Sequence, residues 1–120
     1  MPKRILLVDD NAEVRKALHA VLTAHDDIQI IGEATDGDQA VEMALACQAD
    51  VVLLDTRMPK LNGMEAASLI KKKRKETVII GLCINRDAYT VEAFLKAGAA
   101  AVVSKDRIED LYLSIQQTCG

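Results

Sequence analysis

The residues of this chain that could do chemistry together are Asp9, Asp10, Asp55 and Lys105, with Cys83 nearby in the order of the chain. Each follows or closes a short apolar run. Asp9-Asp10 end the run Ile5-Leu6-Leu7-Val8, and Asp55 ends Val51-Val52-Leu53-Leu54. Cys83 stands near the end of a run that starts at Val78, and Lys105 comes two residues after Val103. Taken alone, Asp55 could do no more than cap a loop. Taken together, the positions follow one rule: in an open parallel sheet the carboxyl ends of the strands share one edge, and ligands sit in the crevice there. Three carboxylates in one crevice repel each other strongly. A hard divalent cation resolves that conflict, and Mg²⁺ held by carboxylates keeps a position open for an incoming oxygen. A lysine adds a point charge that can hold a phosphoryl oxygen or pair with a resting carboxylate. The chemistry that needs this set is phosphoryl transfer, where positioning and charge neutralisation do most of the work. An aspartate can serve as the nucleophile and become an aspartyl-phosphate.

The elements that must position these residues can be read in order. Arg4–Val8 is a strand, and Asn11 can cap a helix whose apolar stripe is Val14, Leu18, Val21 and Leu22. Ile28–Ala34 holds a second strand. Thr35-Asp36-Gly37 is a turn into a helix lined by Ala40, Val41, Ala44 and Leu45. The run 51–55 has the continuous apolar character of a central, doubly covered strand. Residues 59–63 form a loop with an Asn62-Gly63 turn signal, and a third helix buries Met64, Ala67, Leu69 and Ile70. Val78–Ile84 is a buried strand. Ala88–Ala97 is a helix stopped by Gly98. Ala100–Val103 is a fifth strand, and Ile108, Leu111 and Ile115 mark a last helix. Five strand–helix alternations define an α/β fold with a parallel sheet and right-handed crossovers. They fill residues 1–120 as one domain, with no linker, repeat or low-complexity segment.

Composition narrows the function classes. The chain has 120 residues, half of them hydrophobic, and a formal net charge of −3. Its aromatics are Phe94, Tyr89 and Tyr112 alone, so the core is aliphatic and no stacking platform for single strands exists. The net charge offers no field for nucleic acid. Cys47, Cys83 and Cys119 are odd in number and fit no zinc spacing, which points to reduced thiols in a cytoplasmic protein. No secretory signal and no membrane span is expected. Lys71–Lys75 is either a basic docking patch or the solvated end of a helix, where cations suit the dipole. His19 and His25 have no ligand partners at metal spacing and are read as structural, and Cys47 and Cys119 as packing residues.

The motifs Val8-Asp9-Asp10, a strand ending in Asp55, Met58-Pro59 with Gly63 beyond, Lys96-Ala97-Gly98-Ala99, and Lys105 resemble the receiver domain of two-component response regulators. The resemblance runs over essentially the whole chain, and Ile31–Gly37 is most similar to the NarL/LuxR-type branch. It implies a flavodoxin-like, CheY-like (βα)5 fold with strand order 2-1-3-4-5. It implies Asp55 as phosphoacceptor and Lys105 as its phosphoryl contact. It places Mg²⁺ on Asp10 directly, on Asp9 through water, on Asp55, and on the backbone carbonyl of Arg57. It assigns phosphoryl-lifetime tuning to Arg57 and Asn85. The donor would be a sensor histidine kinase or a small acyl phosphate. The domain itself would be no enzyme beyond self-catalysed phosphotransfer and autodephosphorylation. In that branch a helix-turn-helix output domain follows the receiver, which gives transcription regulation, and the branch also admits a homodimer through the last helix. With the chain closing at Gly120, both a stand-alone receiver and the front part of a longer regulator remain open.

Two positions depart from the family. Its Ser/Thr switch position falls on Cys83, whose thiol is a larger and weaker donor. Its switch aromatic falls on Val102, which has no ring to rotate. Coupling from the phosphoryl group to the surface is therefore expected to change more than acceptance itself. That leaves a competing reading, an interaction module that ignores phosphorylation. An aspartyl-phosphate hydrolase is disfavoured because the position of its second acid is Arg57. A flavodoxin-type electron carrier is disfavoured because Asp9-Asp10 would repel the phosphate that its first loop must bind.

Overall fold

The computed structural model describes residues 2–57, 62–84 and 87–119. Met58-Pro59 and Asn85, and the side chain of Cys119, lie outside the described residues. The elements alternate as expected: β1 (Lys3–Val8), α1 (Ala12–Leu22), β2 (Ile28–Ala34), α2 (Gly37–Cys47), β3 (Val51–Asp55), α3 (Gly63–Lys73), β4 (Val78–Cys83), α4 (Ala88–Lys96), β5 (Ala101–Ser104) and α5 (Leu111–Cys119), the last entered through a 3₁₀ turn at Lys105–Asp110. The sheet is parallel throughout, in the order β2-β1-β3-β4-β5.

The alternating direction of side chains along each strand splits the core into two layers. Leu6, Val8, Val52, Leu54 and Ile79 face α2, α3 and α4, where Ala40, Ala44, Ala66, Ala67, Ile70 and Phe94 meet them. Ile5, Leu7, Leu53, Ile80 and Leu82 face α1 and α5 through Leu18, Leu22, Leu111 and Ile115. All five residues of β3 are buried, so the central strand is covered on both faces. This is why its sequence shows a continuous apolar run instead of alternation.

Local chemistry sets the helix ends. Asn11, Asp36, Asn62 and Asp87 each cap a helix with a side-chain oxygen that accepts backbone N–H bonds of the first turn. Asp36 and Asn62, read above as turn residues, are thus helix starts. Gly98, at φ 112°, closes α4 in the left-handed region where glycine carries no Cβ penalty. The basic run lies at the end of α3, where Lys71 Nζ donates to the carbonyls of Lys75 (2.6 Å) and Thr77 (2.9 Å) and Lys72, Lys73 and Lys75 are exposed. Arg74 Nε donates to Thr77 Oγ1, and that buried hydroxyl donates to the Ala49 carbonyl at 2.8 Å.

Two expected core residues are not in the core. Leu69 is 39% exposed, because it lies off the α3 stripe made by Ala66, Ala67 and Ile70. Ile84 is 66% exposed, because β4 ends at Cys83 and the chain turns away from the sheet there. Ile108 belongs to the 3₁₀ turn and not to the last helix, since Arg107 takes non-helical angles before α5 begins.

Gly81 makes room for the one phenylalanine. A Cβ on Gly81 would stand 2.9 Å from the Phe94 ring, which is 1% exposed and has nowhere to move. Gly81→Ala is expected to cost ~1–3 kcal/mol through overpacking. Chemical denaturation checks this, and Phe94→Leu in the same chain should recover part of the loss.

Candidate functional site

The sheet register brings the sequence-distant acids to one edge. Val8 pairs with Leu54, so Asp9 begins where Asp55 ends β3. Asp55 pairs with Leu82, and Cys83 with Ser104, which puts Lys105 just past the same edge. Carboxylate oxygens of Asp9, Asp10 and Asp55 all lie within 4.8 Å of one another; Asp9 and Asp55 are buried and Asp10 is exposed. The crevice above them has a volume of ≈ 430 Å³ and is lined by Asp10, Asn11, Asp55, Thr56, Arg57, Cys83, Asp87, Thr90 and Lys105, among others.

Lys105 is the counter-charge. Its Nζ lies 2.7 Å from Asp9 Oδ2 and 3.1 Å from Asp55 Oδ1. Burial disfavours the ammonium, but the Asp9 hydrogen bond and the charges of Asp55 and Asp9 outweigh it, so its pKa rises. For Asp55 the balance favours the neutral form instead. Burial, reinforced by the charge of Asp9, raises its pKa to about 6, against the pull of the Arg57 backbone N–H (3.2 Å to Oδ1) and of Lys105.

Asp9 is held most firmly. Its N–H donates to the Ala34 carbonyl (3.1 Å), and its Oδ1 accepts from the Asn11 N–H (2.9 Å). Oδ2 is fully buried and has no well-directed hydrogen bond among the described residues; the Lys105 ammonium beside it supplies an ion contact. An all-oxygen donor set gathered this closely, with one buried oxygen short of hydrogen bonds, fits a hard divalent cation.

Gly63 keeps the α3 start against the site. A Cβ there would stand inside contact distance of the Asp55 carbonyl oxygen. Cys83 is 2% exposed, lines the crevice, and its Sγ lies 3.9 Å from the Val103 carbonyl oxygen. Val102 is buried in the same core as Cys83 and Phe94, away from the crevice. The Arg57 side chain is exposed at the rim. His25 stacks on Tyr112, with ring centroids 3.5 Å apart, and takes no part in the site.

Sequence reasoning missed three contributors. Asp87 and Thr90 line the crevice from the start of α4, where the Asp87 carboxylate accepts both the N–H (2.8 Å) and the hydroxyl (3.0 Å) of Thr90. Bonds from Thr90 hold the Asp87 carboxyl below its usual range. The spacing Asp-x-x-Thr was a legible cap signal. The third is Arg15, whose guanidinium donates to the Asp9 carbonyl at 2.7 Å. Nothing in its sequence context marked it apart from an ordinary helix arginine.

The family model for the response regulator receiver domain matches residues 5–116. The chain belongs to this family. The protein-glutamate methylesterase/protein-glutamine glutaminase of Pyrococcus abyssi is 39% identical over 94 residues, which are 78% of this chain and 25% of that protein. The nitrate/nitrite response regulator protein NarL of Escherichia coli K12 is 32% identical over 120 residues, 99% of this chain and 56% of that protein. Among solved structures, the response regulator domain of Thermotoga maritima CheB superposes with a TM-score of 0.90 at 32% identity, covering 99% of this chain and 97% of that one. The chain therefore spans from a quarter to just over half of these curated relatives. Receiver domains hold Mg²⁺ in an acidic pocket, and the Asp9, Asp10 and Asp55 cluster fits a phosphoacceptor site of that kind. Among the described residues no helix is long and apolar enough to cross a membrane.

The raised pKa of Asp55 has a sign. Its folded value of about 6 lies above the ordinary 3.8. The stability of the neutral carboxyl is complete below 3.8 and is lost as pH rises through about 6. The full shift corresponds to ~3 kcal/mol, and screening at the open crevice reduces it to ~1 kcal/mol. Asp55→Asn is therefore expected to raise the melting temperature of the metal-free protein by roughly 4 °C at pH 8. The gap should narrow as pH falls through about 6 and close below 3.8. Melting curves in chelator across that range check it.

Proposed function

We propose that this chain is a phosphorylation-dependent signalling switch that takes a phosphoryl group on Asp55 with the help of Mg²⁺. The observation that carries the reading is the set Asp9, Asp10 and Asp55, gathered within 4.8 Å, with Lys105 bridging Asp9 and Asp55. In the transfer, an Asp55 carboxylate oxygen attacks phosphorus, and the bond from phosphorus to the donor nitrogen or acyl oxygen breaks. The electron pair leaves with the donor. The Lys105 ammonium, already at 3.1 Å from Asp55 Oδ1, holds a phosphoryl oxygen as charge builds there. Asp9, Asp10, Asp55 and the Arg57 carbonyl would hold Mg²⁺, whose chemistry is to neutralise the carboxylates and the phosphoryl oxygens together. Asp87 and Thr90 stand on the far wall of the crevice.

The donor is a sensor histidine kinase, and the setting is the cytoplasm. Because the match to NarL runs over 99% of this chain, the output we favour is transcription regulation through a helix-turn-helix domain that follows the receiver. The receiver itself binds no nucleic acid and does no chemistry beyond gaining and losing its own phosphoryl group. A homodimer of the phosphorylated form fits the same branch.

Cys83 and Val102 favour a second reading, an interaction module indifferent to phosphorylation. Intact mass after incubation with acetyl phosphate separates the two. The first reading expects an adduct of one phosphoryl group that requires both Mg²⁺ and Asp55, absent in Asp55→Ala. No adduct, with Mg²⁺ bound and beryllium fluoride failing to bind, would leave the second.

The thiol at Cys83 should weaken transmission more than acceptance. Cys83→Thr is expected to leave the Mg²⁺ requirement intact while lengthening the phosphoryl lifetime or strengthening dimerisation on phosphorylation. Unchanged lifetime and unchanged dimerisation would sink the assignment.

A further inference from the structure

We infer that Arg15 is a positioning residue for the acidic site, fixing the Asp9 peptide and through it the carboxylates that face the cation. This rests on the Mg²⁺-dependent reading above. Arg15 lies in the first turns of α1, and helical side chains lean toward the helix N-terminus. Its guanidinium therefore reaches back to the β1–α1 loop. Nη1 donates to the Asp9 carbonyl at 2.7 Å, and Nε donates to Glu33 Oε1 on β2 at 2.8 Å. The Arg15 side chain is 16% exposed and its bond to the Asp9 carbonyl is half-buried, while Glu33 stands at the exposed end of the pair. The planar fork spans two acceptors in fixed geometry, which an ammonium cannot do.

The Asp9 residue is anchored at four points. Two are backbone donations, one made by its own N–H to Ala34 and one received at Oδ1 from Asn11. The other two come from side chains, Lys105 at Oδ2 and Arg15 at the carbonyl. A phosphoryl group on Asp55 would draw Lys105 toward it. Arg15 is then the side-chain anchor that the reaction leaves in place. Groups behind a metal ligand commonly set metal affinity by ten- to a hundredfold when removed.

The charge of Arg15 makes the test decisive. A guanidinium near the acids repels a dication, so by charge alone its loss would tighten Mg²⁺ binding. By position, its loss loosens the Asp9–Asn11 loop and weakens binding. The experiment measures Mg²⁺ affinity by calorimetry on the metal-free chain, and the rate of phosphoryl-adduct formation from acetyl phosphate against Mg²⁺ concentration. The variants are Arg15→Ala, Arg15→Lys and Glu33→Gln, with folding followed by circular dichroism.

We expect Arg15→Ala and Arg15→Lys to raise the Mg²⁺ dissociation constant by about tenfold. The half-saturating Mg²⁺ for adduct formation should rise with it, and the maximal rate should stay. Glu33→Gln, which keeps the carbonyl contact but loses the charge that orients the guanidinium, should shift affinity less. Affinity equal to or tighter than wild type in a folded Arg15 variant overturns the inference. So does a lower maximal rate at unchanged half-saturation, which is the mark of lost folded protein. If Arg15→Ala fails to fold, Arg15→Lys and Glu33→Gln decide on the same criteria. A wild-type chain that binds no Mg²⁺ would instead refute the reading beneath, and the inference with it.

Discussion

Two buried carboxylates share one ammonium at the carboxyl edge of the sheet, and most of the structure follows from that. Asp9 and Asp55 come from neighbouring parallel strands, so the register alone sets them side by side. Like charges at that distance resist joint ionisation, and burial adds to the cost. Lys105 offsets part of it by touching both, yet Asp55 is still pushed up to about 6. The metal-free site thus holds excess negative charge, with exposed Asp10 beside the buried pair. A site in that condition gains from any dication that enters. The strain that weakens the fold without metal would become, under the proposed function, affinity for the cation.

The scaffold keeps this arrangement rigid where it must be. β3 is covered on both faces, so Asp55 cannot relax by sliding its strand. The loop after β1 is short, because Asn11 caps α1 at once and its own N–H ties back to Asp9. Gly63 lets α3 begin against the Asp55 carbonyl with no side chain between them. On the other wall, α4 starts at Asp87, whose carboxylate is committed to Thr90. Apart from the covered strand, each of these devices is a backbone N–H satisfied by a side chain or a missing Cβ. Each sits within a few residues of the chemistry.

The sequence made the fold and the central site legible for the same reason. Apolar runs of four or five residues that each end in an acid or lysine can be read without knowing any contact, because a parallel sheet turns strand ends into one edge. Asp9, Asp10, Asp55 and Lys105 were visible that way. Arg15 was not, because its role depends on where a helix side chain leans and on a carbonyl partner, and neither leaves a mark in residue type. Leu69 and Ile84 were misplaced because hydrophobic character says nothing about which side of an element's end a residue falls. At Ile84 the strand had already stopped, and at Leu69 the alanines of α3 had already filled the stripe. Asp36 and Asn62 carried capping chemistry that also signals turns, and only the backbone geometry on their far side separates the two.

The family resemblance puts the switch positions at Cys83 and Val102, so under the proposed function a charge at Asp55 would have to be felt elsewhere by another route. With a thiol at Cys83 and no ring at Val102, the usual polar-then-aromatic route lacks both of its parts. The bulk next to β4 belongs instead to Phe94, on α4. Its ring packs against Gly81 at one edge and Gly63 at the other, and Gly63 abuts the Asp55 backbone. That is a continuous line of contact from the acceptor strand to α4 that uses neither Cys83 nor Val102. Close-packed interiors move between discrete arrangements rather than deforming smoothly. A new double charge at Asp55 faces the Asp87 end of α4 across the crevice, so the electrostatic push and the steric contact meet on the same helix. Under the proposed function, a phosphoryl group at Asp55 would therefore act on α4 twice, through charge facing its N-terminus and through the ring in its body.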